Sequence, residues 1–304
     1  MINPIFNPEE LRLRAFFRII LFTILFITLT ILPFFIPIEW AEYVMRSVLI
    51  LGLYYIMIKY VDFRPWSESG LIFDHTWSRE FIVGIGIAGS VMGLIFLVEW
   101  LTGSLTVTGF GWHRNGNIYW MFPVLAFLIQ MASVGFYEEV MARGYILRNL
   151  AEGFSVGTIN PVWAAVIAVI ISSAIFGVGH AGNPNVTMYA LLNIFFAGIM
   201  LAIPFIITGR LALSVGMHFS WNFFQGGIFG FRVSGRRVRE SVIQIHQEGA
   251  DWWTGGLFGP EGGLIGVLGI LLIILLLIVY FRIKKIPLRF ATSFSKSFTE
   301  KREN

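Results

Sequence analysis

The side chains best suited to chemistry fall in three short runs: Tyr137-Glu138-Glu139-Val140-Met141-Ala142-Arg143-Gly144, Phe176-Gly177-Val178-Gly179-His180 and His218-Phe219-Ser220-Trp221-Asn222. On a helix, Glu139 and Arg143 are four apart, share a face and can pair. Glu138 points about 100° away from Glu139. Its own helical neighbours, Val134, Gly135, Met141 and Ala142, cannot neutralise it. That leaves a carboxylate with no local partner, the kind of group that serves as a general base or acid. His218 and Asn222 share a face by the same spacing, where two donors can hold a developing oxyanion. Taken singly, each run has a structural explanation: carboxylates in water at a helix end, an interfacial histidine, a hydrogen bond between packed helices. Taken together, a free carboxylate, a carboxylate–arginine pair, two histidines and an asparagine are the groups needed to activate water against a carbonyl. No His-Glu-x-x-His run occurs, so the groups must converge from separate helices.

Those helices are membrane helices. Of the 304 residues, 56% are hydrophobic and 13% charged, against about a quarter charged in a soluble domain. A span needs about 20 apolar residues. Eight runs qualify, at 16–37, 41–59, 81–101, 118–148, 161–180, 187–208, 211–230 and 263–283, the seventh being the most interrupted by polar residues. The expected fold is an all-α integral membrane protein of about eight transmembrane helices, with a catalytic core from spans four to seven. The chain divides into N-terminal spans (1–117), a membrane core carrying the three motifs (118–230), and an extramembrane loop, last span and basic tail (231–304). Ionisable groups within a span cost about 2.5–3.5 kcal/mol each on insertion scales, and those of spans four, five and seven therefore call for a function.

The first run follows Arg12, Arg14 and Arg18, but Ile36-Pro37-Ile38-Glu39-Trp40 is no small-residue cleavage site, so an uncleaved anchor is expected. With eight spans, both ends and the even-numbered loops share one side, which holds 16 of the 22 lysines and arginines. By the positive-inside rule both termini are cytoplasmic. Arg232, Arg236, Arg237 and Arg239, in the loop before the last span, dissent. The net charge of +4 suggests no nucleic-acid partner, and the basic tail can touch anionic lipid. There are no cysteines, which excludes disulfides, cysteine-ligated zinc and a thiol nucleophile.

Glu138-Glu139-x-x-x-Arg143, Phe176-x-x-x-His180 and His218-x-x-x-Asn222, in this order on successive apolar spans, resemble the CAAX prenyl protease and bacteriocin-processing (CPBP, or Abi) family. The similarity covers about 118–230 and extends to Phe258-Gly259-Pro260-Glu261-Gly262-Gly263. The resemblance implies an intramembrane endopeptidase acting on a hydrophobic or lipidated (CAAX-type) peptide. It implies Glu138 as the base that activates water, assisted by His180, with Glu139 and Arg143 as a structural ion pair and His218 and Asn222 stabilising the oxyanion. Zinc is an open alternative, held by Glu138, His180 and His218 with water in the fourth place. The base would then have to be Glu139, which Arg143 already occupies, so a metal-free mechanism is favoured. Two other functions fit part of the pattern: a non-enzymatic immunity or scaffold protein, and a proton-coupled transporter. The latter lacks the internal repeats that many transporters show.

Overall fold

A computed structural model describes residues 5–8, 10–113, 118–155 and 159–295. Arg114, Lys296, Lys301 and Arg302, which entered the charge count, lie outside the described residues.

Seven helical stretches among the described residues are long and apolar enough to cross a membrane. They contain α1 (Ala15–Ile31), α2 (Glu39–Ile56), α3 (His75–Leu101), α4 (Met121–Glu139) continuing into α5 (Arg148–Phe154), α6 (Pro161–Gly179), α7 (Met188–Thr208) and α10 (Leu264–Ile283). The eighth crossing is α8 (Ala212–Phe223), which runs on as a wider π-helix over Phe224–Ile228. Local chemistry sets the starts and stops of the neighbouring helices α6 and α7. Asn160 accepts the Val162 N–H ahead of Pro161, and Thr187 accepts the Ala190 N–H, each filling an orphan donor. Gly209 closes α7 at φ 70°, the left-handed cap that glycine adopts most cheaply.

Two antiparallel ribbons stand outside the all-α bundle and were not foreseen from the sequence. One pairs β1 (Phe6–Asn7) with β2 (Arg12–Leu13). The other pairs β3 (Leu105–Phe110) with β4 (Ile243–Gln247), Leu105 opposite Gln247, with a register shift between Val107 and Gly109. Two short helices, α9 (Asp251–Thr254) and α11 (Thr292–Ser295), lie before and after α10 among the described residues.

Loops at each end of the bundle are tied to one another. At one end the Arg12 guanidinium donates to the Asp62 carbonyl at 2.8 Å and Ala291 N–H to Ile206 O at 2.8 Å. At the other, Gly111 N–H reaches Val242 O at 3.0 Å and Gly235 N–H reaches Phe258 O at 2.8 Å. The first end, where Arg12 and Ala291 are tied to these loops, is built on buried charge. Arg18 donates to Asp62 and Glu152 at 2.8 and 2.7 Å, Arg64 pairs with Glu152, and Arg148 pairs with Glu68. Arg12, Arg18, Arg64 and Arg148 are each no more than 8% exposed. These arginines face carboxylates rather than lipid headgroups, which is how a charge is kept away from water.

At the centre of the bundle lies α8, all twelve of whose residues are buried. A β-carbon on Gly216 would lie 2.3 Å from Phe81 O on α3, and one on Gly84 of α3 would lie 2.6 Å from Leu213 O on α8. The two backbones approach as closely as small residues permit in membrane packing. This position explains the polar character of the seventh span: protein, not lipid, surrounds it.

Candidate active site

The three motifs converge on one side of α8. Glu138 and Glu139 end the regular part of α4, and the helix then widens to a π-turn over Val140–Leu147. Such widenings are frequent at functional sites. Glu139 faces inward and is fully buried; its Oε1 accepts from Arg143 Nη1 at 2.8 Å. The same oxygen accepts from His218 Nδ1, also at 2.8 Å. Arg143 donates its other terminal nitrogen to Gly198 O at 3.0 Å, and its guanidinium lies 4.4 Å from the centre of the Phe176 ring.

The carboxylate–imidazole bond fixes the tautomer of His218 by its network. With Nδ1–H given to Glu139, a neutral ring presents the Nε2 lone pair on its other side. There Nε2 lies 3.8 Å from Glu138 Oε2, an oxygen that is itself buried without a hydrogen-bond partner among the described residues. Holding an oxyanion through Nε2 therefore requires that His218 carry a second proton. The expected pairing of Glu139 with Arg143 is present, and it is one half of a three-residue unit that also orients His218.

His180 closes α6. Its Nδ1 lies 2.8 Å from Phe176 O, which leaves Nε2 as the ring's free acceptor. Phe176 stands between the two histidines, its ring centre 4.8 Å from that of His180 and 5.9 Å from that of His218, edge to face in both cases. Phe176 is the first residue of the second motif, but its role as the ring that spaces Arg143, His180 and His218 could not be read from spacing along one helix. Asn222, one turn beyond His218, is buried and lines the same cavity.

That cavity has a volume of about 1700 Å³ and is lined by Glu138, His180, His218 and Asn222. It exceeds the roughly 300–1,000 Å³ of an ordinary small-ligand pocket. Phe26 and Ile27 of α1 and Phe122, Leu125 and Phe127 of α4 supply apolar wall, while the loop that carries Arg236, Arg237 and Arg239 supplies a basic edge. An apolar segment of peptide with polar backbone to hydrolyse suits such a lining. Glu261, in the Phe258–Gly263 loop, also lines it.

For a metal the donors fit poorly. Glu138 and His218 approach each other, but among the described residues no group of three or more His, Cys, Asp or Glu side chains is disposed to hold an ion.

Comparison with known proteins bears out the resemblance drawn from the motifs. Residues 120–224 match the family model described as type II CAAX prenyl endopeptidase Rce1-like, a segment that runs from the start of α4 to the end of α8 and so contains all three motifs. No match is found among curated proteins or among solved structures.

Proposed function

We propose that this multi-pass membrane protein, Rce1-like over residues 120–224, is an intramembrane endopeptidase in which Glu138 activates water. The observation that carries this reading is the division of labour between adjacent glutamates. Each glutamate leaves its Oε2 without a hydrogen-bond partner among the described residues, but Glu139 is committed through Oε1 to Arg143 and His218, whereas the Glu138 side chain lines the cavity beside His218. A base must reach the water it deprotonates, and of the two Glu138 lines the cavity while Glu139 is fully buried behind it.

The reaction then follows from the groups present. A water between Glu138 and the free nitrogen of His180 loses a proton to Glu138 as its oxygen attacks the peptide carbonyl. Negative charge develops on the carbonyl oxygen, and the Asn222 amide is positioned on the cavity wall to donate to it. His218, held at Nδ1 by Glu139, joins Asn222 as a donor when Nε2 is protonated. The substrate is a hydrophobic or lipidated peptide presented from the membrane, because the cavity walls of α1 and α4 are apolar. Both termini lie on the cytoplasmic side of the cell membrane, and 118–230 acts as the catalytic unit between the N-terminal spans and the C-terminal loop, last span and tail.

Protein N-termini in membranes making the wild type, compared with membranes making Glu138→Gln at matched levels, test the proposal. New N-termini confined to the wild type are expected; identical profiles would sink the reading. Activity is expected to survive a chelator, and complete inhibition reversed by zinc would replace the metal-free mechanism.

A further inference from the structure

Of the carboxyls that line the cavity without a task in the steps above, Glu39, Glu42, Glu240 and Glu261, Glu261 is the one set beside both histidines. Glu261 sits in the turn Pro260–Gly262 that leads into α10. Asn193 of α7 fixes this turn, its Nδ2 donating to Glu261 O and to Gly263 O at 3.0 Å each. The Glu261 side chain accepts the Ser234 N–H through Oε1 and also accepts a hydrogen bond from the Ser234 side chain. The loop that supplies Ser234 is locked in turn. Gly235 has φ 79°, a β-carbon there would lie 1.7 Å from Pro184 O, and its N–H is given to Phe258 O. Glu261 is thus held in the cavity wall by backbone on both sides.

Burial pushes the Glu261 carboxyl above its ordinary range, against the opposing pull of the Ser234 bond and of His180 and His218. A carboxyl in that condition holds its proton at a pH where a surface glutamate has lost it. Its electrostatic neighbours are His180 and His218, and His218 Nε2 is also 3.8 Å from Glu138.

Peptide hydrolysis requires two proton movements, one off the attacking water and one onto the departing nitrogen. Glu138 accounts for the first. We propose that Glu261 accounts for the second, donating its carboxyl proton to the leaving amine. In the balanced step, the water oxygen bonds to the carbonyl carbon as Glu138 takes a proton. The carbon–nitrogen bond then breaks, its electron pair stays on nitrogen, and nitrogen takes the proton of Glu261. Glu138 ends protonated and Glu261 ionised; one proton passed between them through solvent restores both. The products are one carboxylic acid and one amine.

This inference rests on the endopeptidase reading, and its test separates the two. The full chain in bilayers is given a peptide spanning a cleavage site found by the N-terminus comparison, and the same peptide with a thioester at the scissile bond. A thiolate, whose conjugate thiol has a pKa of about 8.5, leaves without being protonated. Glu261→Gln is expected to lower kcat on the amide about 10²-fold or more while leaving thioester cleavage near the wild-type rate, and Glu261→Asp to recover part of the amide rate. Retained thioester cleavage also shows that the variant is folded. Equal losses on both substrates, or full amide activity in Glu261→Gln, would overturn the assignment. A wild type inactive on both peptides would overturn the endopeptidase reading itself, and this assignment with it.

Discussion

Glu139 Oε1 accepts two hydrogen bonds at 2.8 Å, one from Arg143 on its own helix and one from His218 on another. One oxygen thereby joins the first motif to the third. Removing its charge leaves Arg143 buried without a counter-ion, which costs about 3–5 kcal/mol when such a pair is broken. Glu139→Gln is expected to lower stability by that order and to lower activity with it. Glu138→Gln is expected to abolish activity, by about 10²–10⁴-fold, with no loss of stability. Thermal unfolding in detergent, run beside hydrolysis, distinguishes them; a Glu139→Gln protein as stable as the wild type would break the argument.

Asn222 is expected to act only where charge develops. Asn222→Ala should lower kcat about 10²–10³-fold with little change in KM. If KM rises while kcat holds, the asparagine binds substrate rather than the transition state.

The contact between α3 and α8 makes a prediction remote from the chemistry. Gly216→Ala places a methyl group 2.3 Å from Phe81 O, and overpacking of this kind costs about 1–3 kcal/mol. Because His218 lies two residues away on the same helix, activity should fall together with the melting temperature. Loss of neither would mean that the two helices separate freely.

The chain has no cysteine, so single cysteines report the side of the membrane directly. Lys284→Cys, beyond α10, is expected to resist an impermeant thiol reagent added to intact cells, while Arg237→Cys, at the cavity edge, is expected to react. The reverse pattern would invert the orientation.

The motifs were legible in the sequence because each lies within one helix, where a spacing of four residues sets which side chains share a face. Glu139 with Arg143 followed from that rule alone. The bond from Glu139 to His218, 79 residues along the chain, did not, since nothing local encodes which helices meet. The same limit hid the central ring of Phe176 and the position of Glu261 on the cavity wall. Charge was legible in number and misleading in place. Arg12, Arg18, Arg64 and Arg148 read as flanking charges, but Asp62, Glu68 and Glu152 hold them inside the protein. Span seven looked weak for a sound physical reason, as α8 borrows its apolar surroundings from α3 and α4.

The enclosure of α8 bears on how the protein is made. Its twelve regular residues include Ser214, His218, Ser220 and Asn222, and a short segment so polar gains little from hydrocarbon by itself. It becomes stable in the bilayer when α3 and α4, synthesised earlier, are there to receive it. Insertion of α8 and assembly of the proposed catalytic centre are then linked, and a chain stalled before α8 holds its glutamates and His180 without the His218 and Asn222 that would make them act.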